Sequence, residues 1–546
     1  MPEIVLKAGS RPPWVGLSAA IWVQTCGGNA YTFPLYSNAL KSVLGFNQGQ
    51  VTILGVANDF GESFGLLPGL ACNKLPPWAL LAIGSAFCFL GYGVIYLSVA
   101  QIVPTIPYWL LWIALVVASN SNAWFGTAVL VTNMRNFPLS RGTVSGIVKG
   151  YVGLAASVYT LLFNEVFSES PTHLLLFLSL GIPIVCFAMM YFVKPCTPAY
   201  EEDDRHHHHF LFTQAMSILL GVCLLLATVL EDLIGFSPAV STSVVVVLLV
   251  FMLYPIAIPL KMTMFPSKPP FDSLQEAAPS EPLLTPSSSG FIDAGEASDA
   301  ETLLAVGEGA IKKKRRPRRG EDFNCSEALV KADFWLLWLV YFCGVGSGVT
   351  VLNNLAQIGA AFGASHTTLL LSLFGFCNFI GRLGSGAVSE YFVRSRMIPR
   401  TVWMIAAEVV MVGCFVAFAY GLNGVLYVAT GFLGLAYGTL YNAVVPIASE
   451  LFGLKHFGVI YNSLLLGNPV GALLLSGVLA GGVYDAEAGK QGTPSCVGVE
   501  CFKVTFLVLA GVCSLGTVLG VVLTLRVWPV YRMLYSGGSF RIPQGH

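Results

Sequence analysis

Long apolar stretches follow one another along almost the whole chain, and short polar segments separate them. Fourteen of these stretches approach the roughly 20 residues that an α-helix needs to cross the hydrocarbon core of a bilayer. They cover residues 14–36, 51–72, 78–100, 108–131, 142–163, 173–193, 210–230, 238–260, 334–357, 367–389, 401–421, 425–447, 457–481 and 502–526. The pattern predicts an all-α polytopic membrane protein with about fourteen transmembrane helices.

The composition supports this class of protein. The chain has 546 residues, of which 55% are hydrophobic and 11% are charged. Soluble domains carry about 25% charged residues, so the composition excludes a soluble globular fold. The formal net charge is zero, which gives no electrostatic basis for a nucleic-acid partner.

The lysines and arginines of the short loops predict the orientation, because cytosolic loops are enriched in these residues. If the N-terminus is cytosolic, most of these lysines and arginines fall on the cytosolic side. An even number of spans then puts both termini in the cytosol. These residues are Lys7, Arg11, Lys74, Arg135, Arg141, Lys194, Arg205, Arg394, Arg396, Arg400, Lys455, Arg526 and Arg532. The plasma membrane and the endomembranes stay open as alternatives.

One long polar insert, residues 262–332, is rich in Pro, Ser, Glu and Lys. This composition cannot bury enough apolar surface to fold alone, so we expect a disordered cytosolic linker. Its basic run, Lys312–Arg319, is a candidate site for anionic lipid. The alternative is that the run only retains this loop in the cytosol.

The linker divides the predicted spans into eight before it and six after it. We expect an N-terminal six-helix half at 1–200, two additional helices at 201–261, the linker at 262–332, a C-terminal six-helix half at 333–528 and a cytosolic tail at 529–546. Parallel halves of six helices are a transporter pattern, in which the substrate site lies near the midplane between the halves.

Residues 381–400, GRLGSGAVSEYFVRSRMIPR, combine closely spaced glycines with an acid and a basic loop. This segment resembles the cytoplasmic loop signature of the major facilitator superfamily. By that resemblance, gate residues would be Arg382, Gly386, Glu390 and Arg394, with Arg141 beside them in the first half. The second glycine of the signature is missing, and the equivalent loop of the first half has lost its acid. Ordinary charges at a helix end that reach toward water are the alternative.

Four further segments narrow the resemblance: NFPLSRGTVSGIVKGYVGLAASVY (136–159), GVANDFGESFGLLPGL with LPPW (55–78), VLNNLAQIG (351–359) and LYNAVVPIASELFGLKHFGVIYN (440–462). Together they resemble the plant nodulin-like branch of that superfamily. The resemblance implies a membrane transporter with a two-half helical bundle, here arranged 6+2+6, and a monomer. It implies no particular substrate.

The superfamily lines its cavity with the first and fourth helices of each half, so polar residues there are candidates for binding a solute. They are Gln24, Asn29, Tyr31, Asn120, Asn122, Asn353, Asn354, Gln357, Tyr441 and Asn442. The alternative is that these side chains bond across helices as structural contacts, at about 0.6 kcal/mol each.

Lys149 lies inside the apolar run 142–163. A charge there costs a few kcal/mol and is a functional-site hypothesis by default. The residue lies about 10 Å inside the predicted cytosolic end of its helix, and its side chain leans toward that end. It would either face the substrate or bond to carbonyls and acids as part of an inner gate near Arg141.

Asp59 and Glu62 are three residues apart and therefore share one face of a helix. Glu62 lies about 18 Å along that helix from Gln50, near the midplane of the membrane. Carboxylates inside the membrane relay protons in many transporters, so we expect one of the two to couple transport to protons. A static ion pair with a basic residue such as Lys149 is the alternative.

Cys496 and Cys501 lie in a loop that the topology puts outside the cytosol. An oxidising compartment favours a disulfide between them. No metal-ligand pair, nucleophile elbow or phosphate-cradling loop stands out, so we expect no enzyme activity, no cofactor and no metal.

The leading function is alternating-access transport of a small solute. An organic anion is the leading substrate class, because Lys149 is a cation within a span and because the chain loosely resembles monocarboxylate and oxalate–formate carriers. A membrane receptor or scaffold that keeps the fold without transport is the alternative.

Overall fold

The computed structural model describes the chain as a bundle of α-helices, with no strand among its described residues. These are residues 11–46, 48–103, 106–196, 204–235, 238–264, 319–364, 367–421, 424–492 and 496–536. Most of the predicted linker, including 312–318 of the basic run, lies outside them.

The N-terminal half begins with two helices that a 3-10 turn joins, and short π-helical segments lie between its last α-helices. Its helices are α1 Arg11–Gly27, α2 Phe33–Leu44, α3 Gln48–Ser63, α4 Leu66–Ala71, α5 Pro77–Val99, α6 Tyr108–Asn136, α7 Arg141–Leu161, α8 Pro171–Leu176 and α9 Ile182–Met190. The non-α segments are Gly28–Thr32, Leu162–Val166 and Phe177–Gly181.

The two additional spans pack beside this half. They are α10 Asp204–Ile234 and α11 Pro238–Phe251, which continues into α12 Ala257–Met264. The hydroxyls of Tyr151, Ser217 and Tyr254 bond to one another and join α7 to these helices. Gly221 of α10 also packs against Phe379 of the C-terminal half, so the inserted helices contact both halves.

The C-terminal half repeats the pattern of six spans after one short helix. Its helices are α13 Cys325–Leu329, α14 Ala332–Ala361, α15 Thr367–Arg396, α16 Thr401–Ala419, α17 Val425–Phe452, α18 Phe457–Leu465, α19 Gly467–Gly471, α20 Gly481–Gln491 and α21 Glu500–Ser536. A π-helical segment, Ala472–Ala480, connects α19 to α20.

Twelve helices among the described residues are long and apolar enough to cross a membrane. They include both inserted helices, at His207–Glu231 and Thr242–Met264. The first two predicted spans, 14–36 and 51–72, are instead each divided into two helices. The exact count of fourteen is therefore not confirmed.

The break in the second predicted span lies at Phe64–Gly65. Asn120 of α6 donates hydrogen bonds to the carbonyl oxygens of Gly61 and Phe64, at 2.9 and 2.7 Å. These bonds satisfy backbone acceptors that the interrupted helix leaves open. Gly65 lies directly against the Asn462 side chain of the other half, so only a residue without a side chain fits there.

The two halves meet along two pairs of helices. α7 packs against α15, and the α3–α4 segment packs against α18 and α19. A Cβ at Gly386 would overlap the Gly142 carbonyl oxygen and lie 3.0 Å from the Gly146 Cα. The first interface is therefore a backbone-to-backbone contact, which small residues make possible in membrane helices.

The C-terminal end of the predicted linker is folded, so the prediction of disorder is wrong for residues 319–332. Gly320 and Phe323 donate backbone hydrogen bonds to Leu451 and Phe452, at 3.1 and 3.0 Å. Arg319 forms an ion pair with Asp333 at 2.6 Å. Local capping and these contacts hold the segment, which composition alone could not reveal.

One end of the bundle collects the basic loops, and we call it the basic end. It comprises the loops 137–140, 397–400 and 453–456 with the helix ends that flank them. Trp14 near the start of α1 packs against Phe137 there, and Tyr531 of α21 bonds to Glu450 there. The first and last described helices therefore begin and end on the same side.

Candidate functional site

Two cations from opposite halves meet in the interior. Lys149 of α7 is 7% exposed and Arg382 of α15 is fully buried. The Arg382 Nη1 donates to the Lys149 carbonyl oxygen at 3.1 Å, and its Nε donates to Asn378 Oδ1 at 2.9 Å. Both residues lie on the α7–α15 interface, so the site bridges the halves.

Tyrosines surround these two cations. The Arg382 guanidinium lies 4.2 Å from the centre of the Tyr441 ring, and Lys149 Nζ lies 5.5 Å from the centre of the Tyr461 ring. The Tyr31 hydroxyl accepts a 3.4 Å hydrogen bond from Arg382 Nη2. Aromatic faces stabilise desolvated cations, but they do not neutralise them.

The two acids of α3 lie near this group but engage amides. Glu62 Oε1 accepts a hydrogen bond from Asn122 at 2.8 Å, and Asp59 Oδ2 accepts one from Asn353 of the other half at 3.0 Å. The charges of Arg382 and Lys149 both act on Glu62. Within the described residues, however, neither cation has a carboxylate within 4.0 Å. The direct Glu62–Lys149 ion pair that we considered is therefore not formed in this conformation.

Glu390 is the centre of a buried charge network at the basic end. Its Oε2 accepts from Arg400 and from the backbone nitrogen of Gly142 in the other half, each at 2.8 Å. Its Oε1 accepts from Arg394 at 2.9 Å. Arg400 also bonds to Glu450 at 2.8 Å, so the network joins α7, α15, the start of α16 and the end of α17.

Three of the other predicted gate residues also lie at this end. Arg141 donates to the Ser449 carbonyl oxygen at 3.3 Å, and Arg394 donates to the Leu139 carbonyl oxygen. Both bonds cross between the halves. Gly386 makes the close backbone contact with Gly142 described above.

The structure corrects the prediction for Arg382, which lies with Lys149 and not in the gate network. Arg382 is two helical turns before Glu390 on α15, so its position is farther from the basic end. The Lys149 ammonium likewise does not reach toward Arg141, because it lies over Tyr461 and beside Gly126.

The predicted amides divide into two groups. Four donate to a neutral acceptor within their own half: Asn29 to Ser121, Asn120 to Phe64, Asn354 to Ser476 and Asn442 to Ser385. These four bonds fit the structural alternative, and a role of the four residues in lining a cavity stays a prediction. Asn122 bonds to Glu62, Gln24 lies next to Lys149, and Gln357 is exposed beside the Asn353 turn.

Sequence reasoning missed Tyr461, Tyr341 and Asn378. A tyrosine inside an apolar helix carries little signal, because its ring is compatible with ordinary packing. Arg382 did carry a signal, since it is a charge within the predicted span 367–389, as Lys149 is within its own.

Three other features lie outside this site. Cys496 and Cys501 form a disulfide. Among the described residues, no group of three or more His, Cys, Asp or Glu side chains is arranged to hold a metal. Glu408 is fully buried in α16, and neither carboxylate oxygen has a hydrogen-bond partner in the described chain.

Two helical halves that meet around a central polar site are the architecture of a major facilitator transporter. A solved structure of the human organic anion transporter MFSD10 has this fold, with a TM-score of 0.55 and 12% identity, and the match covers 93% of this chain and 99% of that one.

The chain belongs to the nodulin-like family within this superfamily. Residues 13–260 match the Nodulin-like family, and residues 321–533 match the family described as NFD4, C-terminal domain. Protein NUCLEAR FUSION DEFECTIVE 4 of Arabidopsis thaliana is 31% identical, and the match covers 98% of this chain and 92% of that protein.

A more distant relative is named as a transporter. The probable transporter MCH1 of Candida glabrata is 23% identical over 29% of this chain and 35% of its own length. The fold and such transporter-named relatives support membrane transport, and transporters of this superfamily are not enzymes.

Proposed function

We propose that the protein transports a small organic anion by alternating access and that Lys149 and Arg382 bind the anion. The observation that carries this proposal is the meeting of two buried cations that have no carboxylate within 4.0 Å in the described chain. Buried charges are stable only when they are paired, and a bound anion would supply the missing charge.

The position of the two cations fits a transport cycle. Lys149 belongs to the N-terminal half and Arg382 to the C-terminal half, and rocking of one half against the other exposes a midplane site to each side in turn. An anion held by both cations would therefore bind between the moving parts.

We further propose that Glu62 couples this transport to protons and that Asp59 assists it. Glu62 is half-buried, its hydrogen-bond partner among the described residues is the neutral Asn122, and the charges of both cations act on it. A proton on Glu62 would change the charge of the site as the anion enters. Replacing Glu62 with Gln should remove the dependence of uptake on pH, while Asp59→Asn should change it less.

The proposal is tested by uptake of labelled organic anions into proteoliposomes at two external pH values. Lys149→Gln and Arg382→Gln should each lower uptake by about 30-fold or more, as expected when a buried charge loses its partner. Lys490→Gln, a change at an exposed lysine paired with Glu487, is the matched control and should transport normally.

Uptake of a cation or a neutral solute, with no uptake of any anion, would overturn the anion assignment. Anion binding without uptake would favour the receptor or scaffold alternative. Unchanged pH dependence in both Glu62→Gln and Asp59→Asn would remove the proton hypothesis and leave anion transport intact.

The basic end is proposed to face the cytosol, with both termini on that side. This orientation rests on the enrichment of Lys and Arg in cytosolic loops. A protease added outside intact cells should cleave neither an N-terminal nor a C-terminal tag, and cleavage of either tag would reverse the assignment.

A further inference from the structure

We propose that the transported anion is a polyhydroxylated carboxylate, meaning a carboxylate whose carbon chain also carries several hydroxyl groups, as in a sugar acid. The proposal rests on the proposed function and deepens it. Its basis is a juxtaposition: Gln24 and Tyr461 lie close to Lys149, and their buried polar atoms have no hydrogen-bond partners in the described chain.

The first such group belongs to the N-terminal half. Gln24 is fully buried, and neither its Oε1 nor its Nε2 has a partner among the described residues. A methyl group placed on Gly126 would lie 3.4 Å from Lys149 Nζ and 3.7 Å from Gln24 Nε2. The amide and the ammonium therefore border the same small space.

Two further groups belong to the C-terminal half. The Tyr461 ring lies under Lys149, and the Tyr341 ring lies 6.1 Å from the Tyr441 ring that supports Arg382. The hydroxyls of Tyr461 and Tyr341 are buried without partners in the described chain. Both halves therefore contribute buried polar groups without partners in the described chain to the surroundings of the two cations.

The chemistry of these groups selects the ligand. A plain carboxylate offers acceptor oxygens at one end only, and the two cations would use them. The Gln24 amide can both donate and accept, and each tyrosine hydroxyl can do either. Substrate hydroxyls also donate and accept, so several of them along one chain could satisfy groups from both halves. A buried polar group that finds no partner is costly.

The same geometry disfavours neutral polyols. Such a ligand would satisfy the amide and the tyrosines, but it would leave the charges of Lys149 and Arg382 buried without a counter-ion. An unpaired buried charge costs more than an unpaired neutral group. The site therefore requires the carboxylate and the hydroxyls together.

Three six-carbon probes separate these requirements: D-gluconate has both features, hexanoate has only the carboxylate, and sorbitol has only the hydroxyls. Affinities come from ligand-induced shifts in the unfolding temperature of the purified full-length protein. Gluconate should bind at least about 10-fold more tightly than hexanoate, and sorbitol should not bind. Uptake of labelled gluconate into proteoliposomes should follow the same order.

Two substitutions test whether Gln24 and Tyr461 cause the preference for gluconate over hexanoate. Gln24→Leu and Tyr461→Phe should each weaken gluconate binding by about 10-fold and leave hexanoate binding within a factor of about two. Tyr36→Phe is the matched control, because the Tyr36 hydroxyl is also buried without a partner in the described chain but packs against Phe33 in α2.

The outcomes distinguish this inference from the function on which it rests. Equal binding of gluconate and hexanoate would overturn the inference and leave anion transport standing. Binding of sorbitol alone would overturn both. Unchanged gluconate affinity in Gln24→Leu and in Tyr461→Phe would mean that water satisfies these groups, and the inference would fail.

Discussion

The two ends of the helical bundle hold the halves together in different ways. At the basic end, the halves are joined by the Gly142 backbone bond to Glu390, the Arg141 bond to Ser449 and a backbone contact at Gly386. On the side of Glu62 that faces away from the basic end, the Asn353 side chain donates a hydrogen bond to Asp59 of the other half. Asn353 is exposed there.

This difference identifies the conformation as one that is closed at the basic end. Opening that end must break the buried hydrogen bond from Gly142 to Glu390 and the close contact at Gly386, whereas separating the opposite end must break the exposed hydrogen bond from Asn353. Exposed hydrogen bonds contribute little because water replaces them. Changes at the basic end should therefore alter transport and stability more than changes at the opposite end.

The largest effect on uptake is expected from Gly386→Val. The new side chain would overlap the Gly142 carbonyl oxygen, so α7 and α15 must separate. Overpacking of this kind costs about 1–3 kcal/mol and should lower uptake by about 10- to 100-fold. Trypsin cleavage after the fully buried Arg400 should become faster as the end opens.

Gly384→Val is the matched control for this substitution. It lies on the same helix, and a Cβ there has no heavy atom within 4 Å. Normal uptake in both variants would contradict the closed contact at Gly386.

The largest effect on stability is expected from Glu390→Gln, which keeps the shape of the side chain and removes its charge. Arg394 would lose its carboxylate, and Arg400 would keep only Glu450. Breaking a buried pair costs about 3–5 kcal/mol, so the unfolding temperature in detergent should fall clearly. Glu487→Gln breaks an exposed pair with Lys490 and should cost at most about 1 kcal/mol. Equal effects of the two substitutions would refute the buried network.

A smaller effect is expected from Arg135→Ala. Arg135 donates to the carbonyl oxygens of Leu454 and Lys455 at 3.3 Å and to Asn73 at 2.8 Å. Partly exposed hydrogen bonds contribute about 1 kcal/mol each or less, so uptake should fall by about 3- to 10-fold. Lys74→Ala, an exposed charge in the same region, should leave uptake unchanged.

The smallest effect is expected from Asn353→Ala at the opposite end. Loss of its bond to Asp59 should cost less than about 1 kcal/mol and change uptake by no more than about threefold. Gln357→Ala, one turn further along the same helix, is the control. A loss of stability as large as that of Glu390→Gln would invert the comparison between the ends.

Much of the fold could be predicted from hydropathy, because a helix that crosses the hydrocarbon core needs apolar side chains over about 20 residues. Hydropathy could not locate the interruptions at Gly28–Thr32 and Phe64–Gly65. Those breaks depend on partners far along the chain, such as Asn120 bonding to Phe64. The fold of 319–332 was missed for the same reason.

The candidate site was only partly predictable. Lys149 could be recognised because a charge inside an apolar membrane helix is costly and therefore marks a candidate functional site. Arg382 met the same criterion, but the motif resemblance assigned it to the gate. The sequence could not distinguish amides that line a cavity from amides that bond across helices. The direction in which Asn29 or Asn442 points depends on neighbouring helices, whose positions the sequence does not specify.

The contact between Gly221 of α10 and Phe379 of α15 has a consequence for assembly. The inserted helices are joined covalently to the N-terminal half, yet they pack on the C-terminal half. A polypeptide ending at Met264 would therefore carry two surfaces that bind a separately translated polypeptide beginning at Arg319. One is the interface of the N-terminal half, and the other is the face of α10 around Gly221. Such a pair should complement each other when co-expressed, since the described contacts between the halves require no peptide bond across 265–318.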